Sequence, residues 1–403
     1  MKLYYEKYGC SLNQGETMEI VESMLENGHE LVSTPENADI IIIGTCVVIK
    51  HTENYMLRRI EELSKFNKKM VVYGCLPSIK NLTLNNKNIS TIKPGEVPLI
   101  NGIAYQPKDV PAFENTLTIP IAQGCTGHCT YCISKLARGR LRSYEPDKIL
   151  EKFKMGVKKG FKEIRLSALD TASYGLDIST NLAELLNILS NVDGDFKIRV
   201  GMMEPSNTLK ILPDLIESFK TDKIFKFFHV PFQSANDRIL GLMGREYTSK
   251  EFKGIVENIR KNFEHYTFST DVIVGFPGED EDSFSETVSL VKNIRPDILN
   301  ITRYSPREGT MAFKLKPVKS TISKEWSLKL TEMHRKISIE RNMELLSSIK
   351  RVLVTEKGKM DYLARTDGYR PVILKNVSIN NYYDVKIVGY SAFYLYGEIF
   401  EIR

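Results

Sequence analysis

Three cysteines stand within Gln123-Gly124-Cys125-Thr126-Gly127-His128-Cys129-Thr130-Tyr131-Cys132, just after the apolar run from Leu117 to Ala122. Three thiolates on one tight loop can hold three corners of a cubane iron–sulfur cluster. The fourth iron then has no protein ligand and stays open to a small molecule. A structural zinc site wants four protein ligands in a closed tetrahedron. Iron–sulfur clusters usually take four cysteines as well, so three point to an iron kept free for chemistry. His128 reads as a loop residue rather than a fourth ligand.

The chain holds six cysteines in 403 residues, a length that predicts two or three domains. No leader of charged, apolar and small residues opens it. Its longest apolar runs, such as Ile40 to Ile43, fall far short of a membrane span. The expectation is a cytoplasmic protein with no membrane partner. In that reducing compartment cysteines serve as ligands or catalysts rather than disulfides. A net charge of +6 and a pI near 8.7 permit a nucleic-acid partner without demanding one.

The other three cysteines share one placement. Lys2 to Tyr8 reads as a strand running into Gly9-Cys10. Ala38 to Ile43 runs into Gly44-Thr45-Cys46, and Met70 to Tyr73 into Gly74-Cys75. Helices follow, at about Glu16 to Asn27, Thr52 to Phe66 and a weaker segment from Pro77. Alternating strands and helices predict a parallel sheet with helices on its faces. All three cysteines then converge at the carboxyl edge, where ligands sit in such folds. Buried structural cysteines are the alternative; a second three-ligand cluster accounts for all six as two sets of three. Residues 94–115, with Pro94, Pro98, Pro107 and Pro111, read as a linker after an N-terminal domain of residues 1–93.

Residues 116–345 carry six further strand–helix units, with strands at Leu117 to Ala122, Glu163 to Ala168, Lys197 to Met202, Phe225 to Phe232, Phe268 to Phe276 and Ile298 to Tyr304. This predicts a partial (βα)6 barrel, closed by a helix from Trp326 to Ser347. In barrels the chemistry lies on loops after the strands' carboxyl ends, which is where the CxxxCxxC loop falls. Ser167, Asp170, Gln233, Ser234 and Asp271 also sit at or near strand ends. They are the candidates for holding a ligand with ammonium, carboxylate, ribose and adenine parts. Gly275 is the candidate for close backbone approach to the adenine. Arg138 and Arg140, just beyond the cysteine loop, are candidates for a phosphate backbone.

From residue 346 to 403 the pattern changes to five short strands, which predict a small antiparallel β-barrel of the oligonucleotide-binding type. Basic Lys357, Arg365 and Arg370 lie near Tyr369, a mixture that suits RNA. The alternative is a barrel used only for packing.

Taken together these segments resemble the methylthiotransferase family of radical S-adenosylmethionine (SAM) enzymes, over nearly the whole chain. The resemblance rests on Gly9-Cys10-Ser11-Leu12-Asn13, Thr45-Cys46, Gly74-Cys75 and the CxxxCxxC loop. It extends to His229-Val230-Pro231-Phe232-Gln233-Ser234, to Asp271-Val272-Ile273-Val274-Gly275-Phe276-Pro277-Gly278-Glu279, and to Tyr304-Ser305-Pro306-Arg307-Glu308-Gly309-Thr310. The last domain resembles a TRAM domain, which in that family grips tRNA. Ala137-Arg138-Gly139 and Ala168-Leu169-Asp170-Thr171-Ala172-Ser173-Tyr174-Gly175 are similar to the archaeal and eukaryotic branch. Met203-Glu204-Pro205-Ser206 departs from that branch's Asn-Pro-Pro, and Ala235-Asn236 from its Gly-Ser.

The resemblance implies two 4Fe-4S clusters. One, on Cys125, Cys129 and Cys132, binds SAM and receives an electron from a reductant protein to make a 5′-deoxyadenosyl radical. The other, on Cys10, Cys46 and Cys75, carries the sulfur. The implied reaction inserts a methylthio group at carbon 2 of N6-threonylcarbamoyladenosine, position 37 of tRNA; the sequence leaves the oligomeric state open, with a monomer as the expectation. That carbon bears an unactivated C–H bond, which no side-chain base removes and a radical cofactor can; no side chain outside the clusters is given a catalytic role. The alternatives are thiomethylation of isopentenyladenosine or of a ribosomal-protein aspartate, and an iron–sulfur RNA-binding redox sensor.

Overall fold

A computed structural model describes residues 1–80, 82, 87–96, 99–100, 103–104, 110 and 115–400. Most of the expected linker, residues 94–115, lies outside them. The chain opens with β1 (Lys2–Lys7), α1 (Ser11–Glu26), β2 (Glu30–Leu31), β3 (Ile40–Thr45), α2 (Lys50–Ser64), β4 (Lys69–Gly74), α3 (Cys75–Ile79) and β5 (Ile89–Ile92). These strands form a parallel sheet in the order β2-β1-β3-β4-β5. Four consecutive isoleucines in β3 are wholly buried, because helices cover both faces of a parallel sheet. Ile40 and Ile42 pack with Ile20, Val21 and Met24 of α1; Ile41 and Ile43 pack on the opposite face with Ile60 and Leu63 of α2. The sequence pattern shows three strands here, not five. β2 is two residues long and β5 is the mixed run Ile-Ser-Thr-Ile, so neither has an apolar signature.

From β1 the chain first turns to one side, to β2, and then crosses to β3 on the other. That reversal makes the β1/β3 carboxyl edge the topological switch point, where doubly wound sheets bind ligands. Cys10 follows β1 and Cys46 follows β3. Helix α1 begins five residues before the expected Glu16, so Cys10 is its N-cap, and α3 begins on Cys75 itself.

A short antiparallel pair, β6 (Leu99–Ile100) and β7 (Ile103–Ala104), precedes the central unit. There β8 (Thr116–Pro120), β9 (Ala122–Gln123), α4 (Ser134–Arg138), β10 (Arg142–Ser143), α5 (Pro146–Lys158), β11 (Glu163–Ser167), α6 (Leu182–Ser190), β12 (Lys197–Val200) and α7 (Pro205–Ser218) follow one another. Then come β13 (Phe227–His229), α8 (Asp237–Leu242), α9 (Ser249–Asn262), β14 (Thr267–Val274), α10 (Glu281–Ile294), β15 (Ile298–Arg303) and α11 (Ser320–Met343). Two parallel three-stranded sheets, β12-β11-β8 and β13-β14-β15, make the expected six-stranded partial barrel. A parallel bridge from Ile198 to Ile224 links them. Strand β9 pairs with β10 and so clamps the base of the cysteine loop and α4.

Helix α11 lies across β15 as a strap. Trp326 stacks on Phe284 at 4.6 Å and its indole N–H donates to Glu281. The chain ends in a closed barrel, ordered β16-β17-β18-β20-β19: β16 (Ile349–Lys357), β17 (Tyr362–Thr366), β18 (Pro371–Leu374), β19 (Tyr382–Tyr390) and β20 (Leu395–Ile399). Its core is Val352, Val354, Ala364, Val372, Leu374, Val385, Ile387 and Leu395. No helix among the described residues is long and apolar enough to cross a membrane.

Candidate cluster-binding edges

The CxxxCxxC loop leaves the central barrel at the carboxyl end of β8. Its thiols are half-buried. The Gly127 N–H donates to the Cys125 sulfur at 3.2 Å, and the Cys125 N–H to the Gly139 carbonyl at 3.3 Å. A Cβ on Gly124, whose φ is +68°, would run into the Arg140 carbonyl, so the loop needs glycine there. A Cβ on Gly244 (φ +70°) would likewise crowd the His128 carbonyl, at 2.6 Å. Burial pushes the Cys125 thiol up to about 12, and raises Cys129 against the pull of Arg245.

At the other edge Cys46 and Cys75 are buried and Cys10 is exposed. A Cβ on Gly9 (φ +93°) would meet Cys46, and one on Gly74 (φ +108°) would meet Asn13 and the Thr45 backbone. Glycine is therefore required for the cysteine-bearing turns to approach one another. Burial raises the Cys75 thiol to about 12. Among the described residues no three His, Cys, Asp or Glu side chains, those of the two cysteine sets included, close on a single metal position. Two sets of three thiols, each held by glycine turns, fit a larger multi-iron group. A bound cation would make thiolates of these otherwise reluctant groups.

Arg138 joins the two edges. It stands six residues after Cys132, and its side chain is fully buried. Nε donates to the Cys75 sulfur at 3.2 Å. Nη1 donates to Glu16 and Gln123, each at 2.8 Å, and Nη2 to Glu16 at 2.7 Å and Asn13 at 3.3 Å. The Gln123 amide also donates to Glu16. The forked guanidinium thus ties the cysteine loop to α1 and to Cys75 with charge-assisted bonds. The expectation that Arg138 contacts a phosphate backbone fails, since every one of its polar atoms is turned inward. Arg140 is exposed. A second tie runs from Arg307 to Glu53 and the Val47 carbonyl. Lys50 and Lys80 share the Glu53 carboxylate at 2.9 and 3.0 Å, and the three cations hold it down at about 2 despite burial.

The other strand-end candidates divide. Ser167 is buried and its hydroxyl has no partner among the described residues, so it can take a ligand. Gln233 has a left-handed φ of +64°; its backbone is bonded to Asp271 and Ile273, and its amide makes no hydrogen bond among the described residues. Asp170 has both oxygens engaged: Oδ1 accepts from Ala172 and Glu204 N–H at 3.0 and 2.8 Å, and Oδ2 from Asn207 at 2.8 Å. Burial nevertheless raises it to about 6. Asn207 also donates to Thr126 of the cysteine loop at 3.2 Å, so Asp170 positions the loop through Asn207. The Ser234 hydroxyl accepts from the Asn236 N–H at 3.3 Å and serves the turn into α8. Burial alone would raise Asp271, but bonds from His229 at 2.9 Å and Asn300 at 2.7 Å hold it below the usual range. Gly275, at φ +79°, lets Ser323 of α11 come close, since a Cβ there would meet the Ser323 side chain.

Sequence reasoning missed Arg245. It donates to Glu204 at 3.1 Å and to the Tyr131 hydroxyl at 2.7 Å, tying α7 to the cysteine loop. The role of Glu16 was missed too, because at the start of a helix it looks like an ordinary surface residue, and Asn13 was read only as part of the motif around Cys10.

In the C-terminal barrel two RNA candidates are also turned inward. The Tyr369 hydroxyl donates to Glu163 at 2.5 Å and its ring packs on Phe225 and Phe227. Arg370 bonds Asp297 and donates to Asn342 at 2.8 Å. Both are buried and glue the small barrel to the amino-terminal ends of the central strands. Arg365 is partly buried, bonded to Glu356 at 3.2 Å. Lys357 remains exposed.

Residues 119–291 match the Radical SAM superfamily and residues 2–92 match the Uncharacterized protein family UPF0004. The barrel with its three-thiol loop is thus that of a radical SAM enzyme. A probable threonylcarbamoyladenosine tRNA methylthiotransferase of Methanocaldococcus jannaschii is 40% identical over 418 residues, 99% of this chain and 97% of that protein. A tRNA-2-methylthio-N(6)-dimethylallyladenosine synthase of Natranaerobius thermophilus is 30% identical over 99% of this chain and 97% of its own. The chain belongs to the radical SAM methylthiotransferase family. In fold it is similar to the radical SAM methyltransferase TsrM of Kitasatospora setae, with a TM-score of 0.53 and 12% identity over 75% of this chain and 71% of that one. Enzymes of this family use SAM and 4Fe-4S clusters, and the two cysteine sets are the groups that would hold the clusters here.

Proposed function

We propose that this enzyme inserts a methylthio group at carbon 2 of N6-threonylcarbamoyladenosine at position 37 of tRNA. The observation that carries the reading is the tie through Arg138, which brings two three-cysteine edges into one neighbourhood. The full-length likeness to proteins named for that reaction supports it. Cys125, Cys129 and Cys132 hold the cluster that takes SAM, with Ser167 and Gln233 offering it free polar groups. Cys10, Cys46 and Cys75 hold the cluster that carries the sulfur. When bound, the groups supply the radical that removes the carbon 2 hydrogen and the sulfur that replaces it. The protein chain orients them and buries them from water. Arg140 and Lys357 are the exposed cations left to meet the RNA. The enzyme works in the cytoplasm as a monomer and draws its electron from a reductant protein.

Nucleoside mass spectrometry of tRNA from cells with and without the protein tests the reading. The expected result is a methylthio group gained on threonylcarbamoyladenosine. A gain on isopentenyladenosine instead would assign the chain to the reaction of its Natranaerobius relative, and no gain on either would overturn the proposal.

A further inference from the structure

The segment that joins the last barrel strand to the strap mixes lysines with exposed apolar side chains. Residues 309–324 hold Lys314, Lys316, Lys319 and Lys324 and no aspartate or glutamate. None of these four ammonium groups forms an ion pair or a side-chain hydrogen bond among the described residues. Met311, Phe313 and Leu315 stand among them and are exposed, Met311 by 73%.

This segment is pinned to the cysteine loop. Ala312, in the short turn Met311–Lys314, is buried and packs with Tyr131 and Phe276. Its N–H donates to the Thr130 carbonyl at 2.9 Å, and its carbonyl accepts from the Tyr304 hydroxyl at 2.9 Å. Met311 and Phe313 flank that pin, so they stand beside Thr130, the neighbour of Cys129. The Thr130 hydroxyl donates to the carbonyl of Leu242, itself exposed, at 2.8 Å. A Cβ on Gly309 would lie 3.1 Å from Leu136 of α4, also exposed. Apolar side chains thus gather where the cysteine loop comes to the surface, at the exposed His128.

Exposed apolar surface rimmed by charge is the make-up of a protein interface. An RNA would use the lysines and stack a base on Phe313, but it has nothing to set against the aliphatic chains of Met311, Leu315, Leu136 and Leu242. Unpaired cations around them match an acidic partner. The position beside Cys129 says what that partner carries, because each SAM cleavage consumes one electron. We propose that this patch, centred on Met311 and Phe313 and rimmed by Lys314, Lys316 and Lys319, docks an acidic one-electron carrier protein. The carrier is oxidised by one electron, and that electron enters the C–S bond of SAM as it breaks. Docking of this kind needs only a small contact. The proposal rests on the reading above that a reductant protein serves this enzyme.

An acidic plant-type ferredoxin is the probe, and dithionite, which needs no docking surface, is the control. Both are used anaerobically with enzyme loaded with both clusters and SAM. In Lys314→Glu/Lys316→Glu, ferredoxin-driven formation of 5′-deoxyadenosine should fall about tenfold or more at low salt, the lower end of what electrostatic steering supplies. The dithionite-driven rate should stay as it was, and the loss should shrink as salt is raised. Met311→Ser/Phe313→Ser should slow the ferredoxin-driven rate at low and high salt alike. An unchanged ferredoxin-driven rate overturns the proposal. So does an equal fall with both reductants in a variant that keeps its iron and its melting temperature. Weaker binding of an anticodon stem–loop RNA with the ferredoxin-driven rate kept gives the patch to RNA and overturns it too. Carbodiimide coupling of ferredoxin to the unaltered enzyme needs no variant to fold. The amide links should fall on Lys314, Lys316 or Lys319, and links found only elsewhere overturn the proposal. Thiomethylation of tRNA driven by dithionite reads the other question. If it proceeds while ferredoxin couples away from the patch, the proposed function stands and this surface falls. If ferredoxin cleaves SAM through the patch and no tRNA nucleoside changes, the function falls and the surface stands.

Discussion

At the carboxyl ends of the barrel strands, Arg138 donates to a thiol, a carboxylate and two amides. At the amino ends, Arg370 bonds a carboxylate and an amide. Both guanidiniums are buried, and both link the central barrel to a neighbouring unit. They differ in what lies next to them. The edges that Arg138 joins carry thiols held by no more than weak N–H donors, and on the barrel side the Ser167 hydroxyl has no partner among the described residues. Around Arg370 the bonds are shared out: Arg341 and Arg370 both donate to Asp297 and Arg370 to Asn342, so that of these groups only the Arg370 Nε is left without a partner among the described residues. Burial alone therefore does not separate a site from a joint. What separates them is whether the polar groups nearby are already used.

The comparison is broken most severely at the thiols. Replacing Cys125, Cys129 and Cys132 together by alanine should remove about four of eight irons, following two four-iron clusters, and abolish SAM cleavage. Replacing Cys10, Cys46 and Cys75 should remove the other four and end thiomethylation while SAM cleavage persists. Iron analysis and detection of 5′-deoxyadenosine check both. If SAM cleavage also vanished in a folded N-terminal triple variant, the separation of roles would be wrong.

Arg138→Met comes next. It leaves Glu16 charged and buried without its partner, a loss of about 3–5 kcal/mol. Denaturant unfolding should show it, accompanied by iron lost from the N-terminal edge. Full iron and unchanged stability would reduce Arg138 to a spectator.

Glu279 offers a pH-dependent test. Burial raises its carboxyl to about 7, although Oε2 accepts the Gly275 and Phe276 N–H groups; Oε1 has no partner among the described residues. The folded protein thus holds this proton more tightly than the unfolded chain does. Stability from Glu279 is present at low pH and declines between about 4.5 and 7 as the unfolded chain gives up its proton first. Glu279→Gln should therefore raise the melting temperature at pH 8, by at most about 3 kcal/mol of stability, and leave it nearly unchanged at pH 4. An equal effect at both pH values would sink this account.

Tyr369→Phe is the smallest change. It removes one buried bond to Glu163 and should cost about 1–3 kcal/mol, read as faster proteolysis between the strap and the last barrel. Iron content should not move. If it did, the two ends of the barrel would be less independent than their packing indicates.

Much of this arrangement is legible in the sequence because each cysteine follows an apolar run that can only be a strand. Strand, tight glycine turn and thiol are local neighbours, so spacing finds them. The barrel and its cysteine loop follow for the same reason. The arginines are not legible in that way. Arg138 sits in a short basic run and Arg370 beside a tyrosine, patterns that suit an RNA-facing surface. Only the distant partners, Glu16 and Asp297, turn them inward. Asp170 and Gly275 show the same limit: one is engaged by Asn207 and Glu204, the other by Ser323, and nothing local announces either partner.

The close approach of Gly275 to Ser323 reaches further than its own neighbourhood. Helix α11 spans 24 residues, about 36 Å, and passes within six residues into the first strand of the last barrel. Near its far end Arg341 and Asn342 grip Asp297 and Ser391. A methyl group at 275 would pry up the near end of a stiff rod anchored at the other. Such a lever carries a displacement of one atom at the carboxyl rim of the central strands to the small barrel at the far end of the strap.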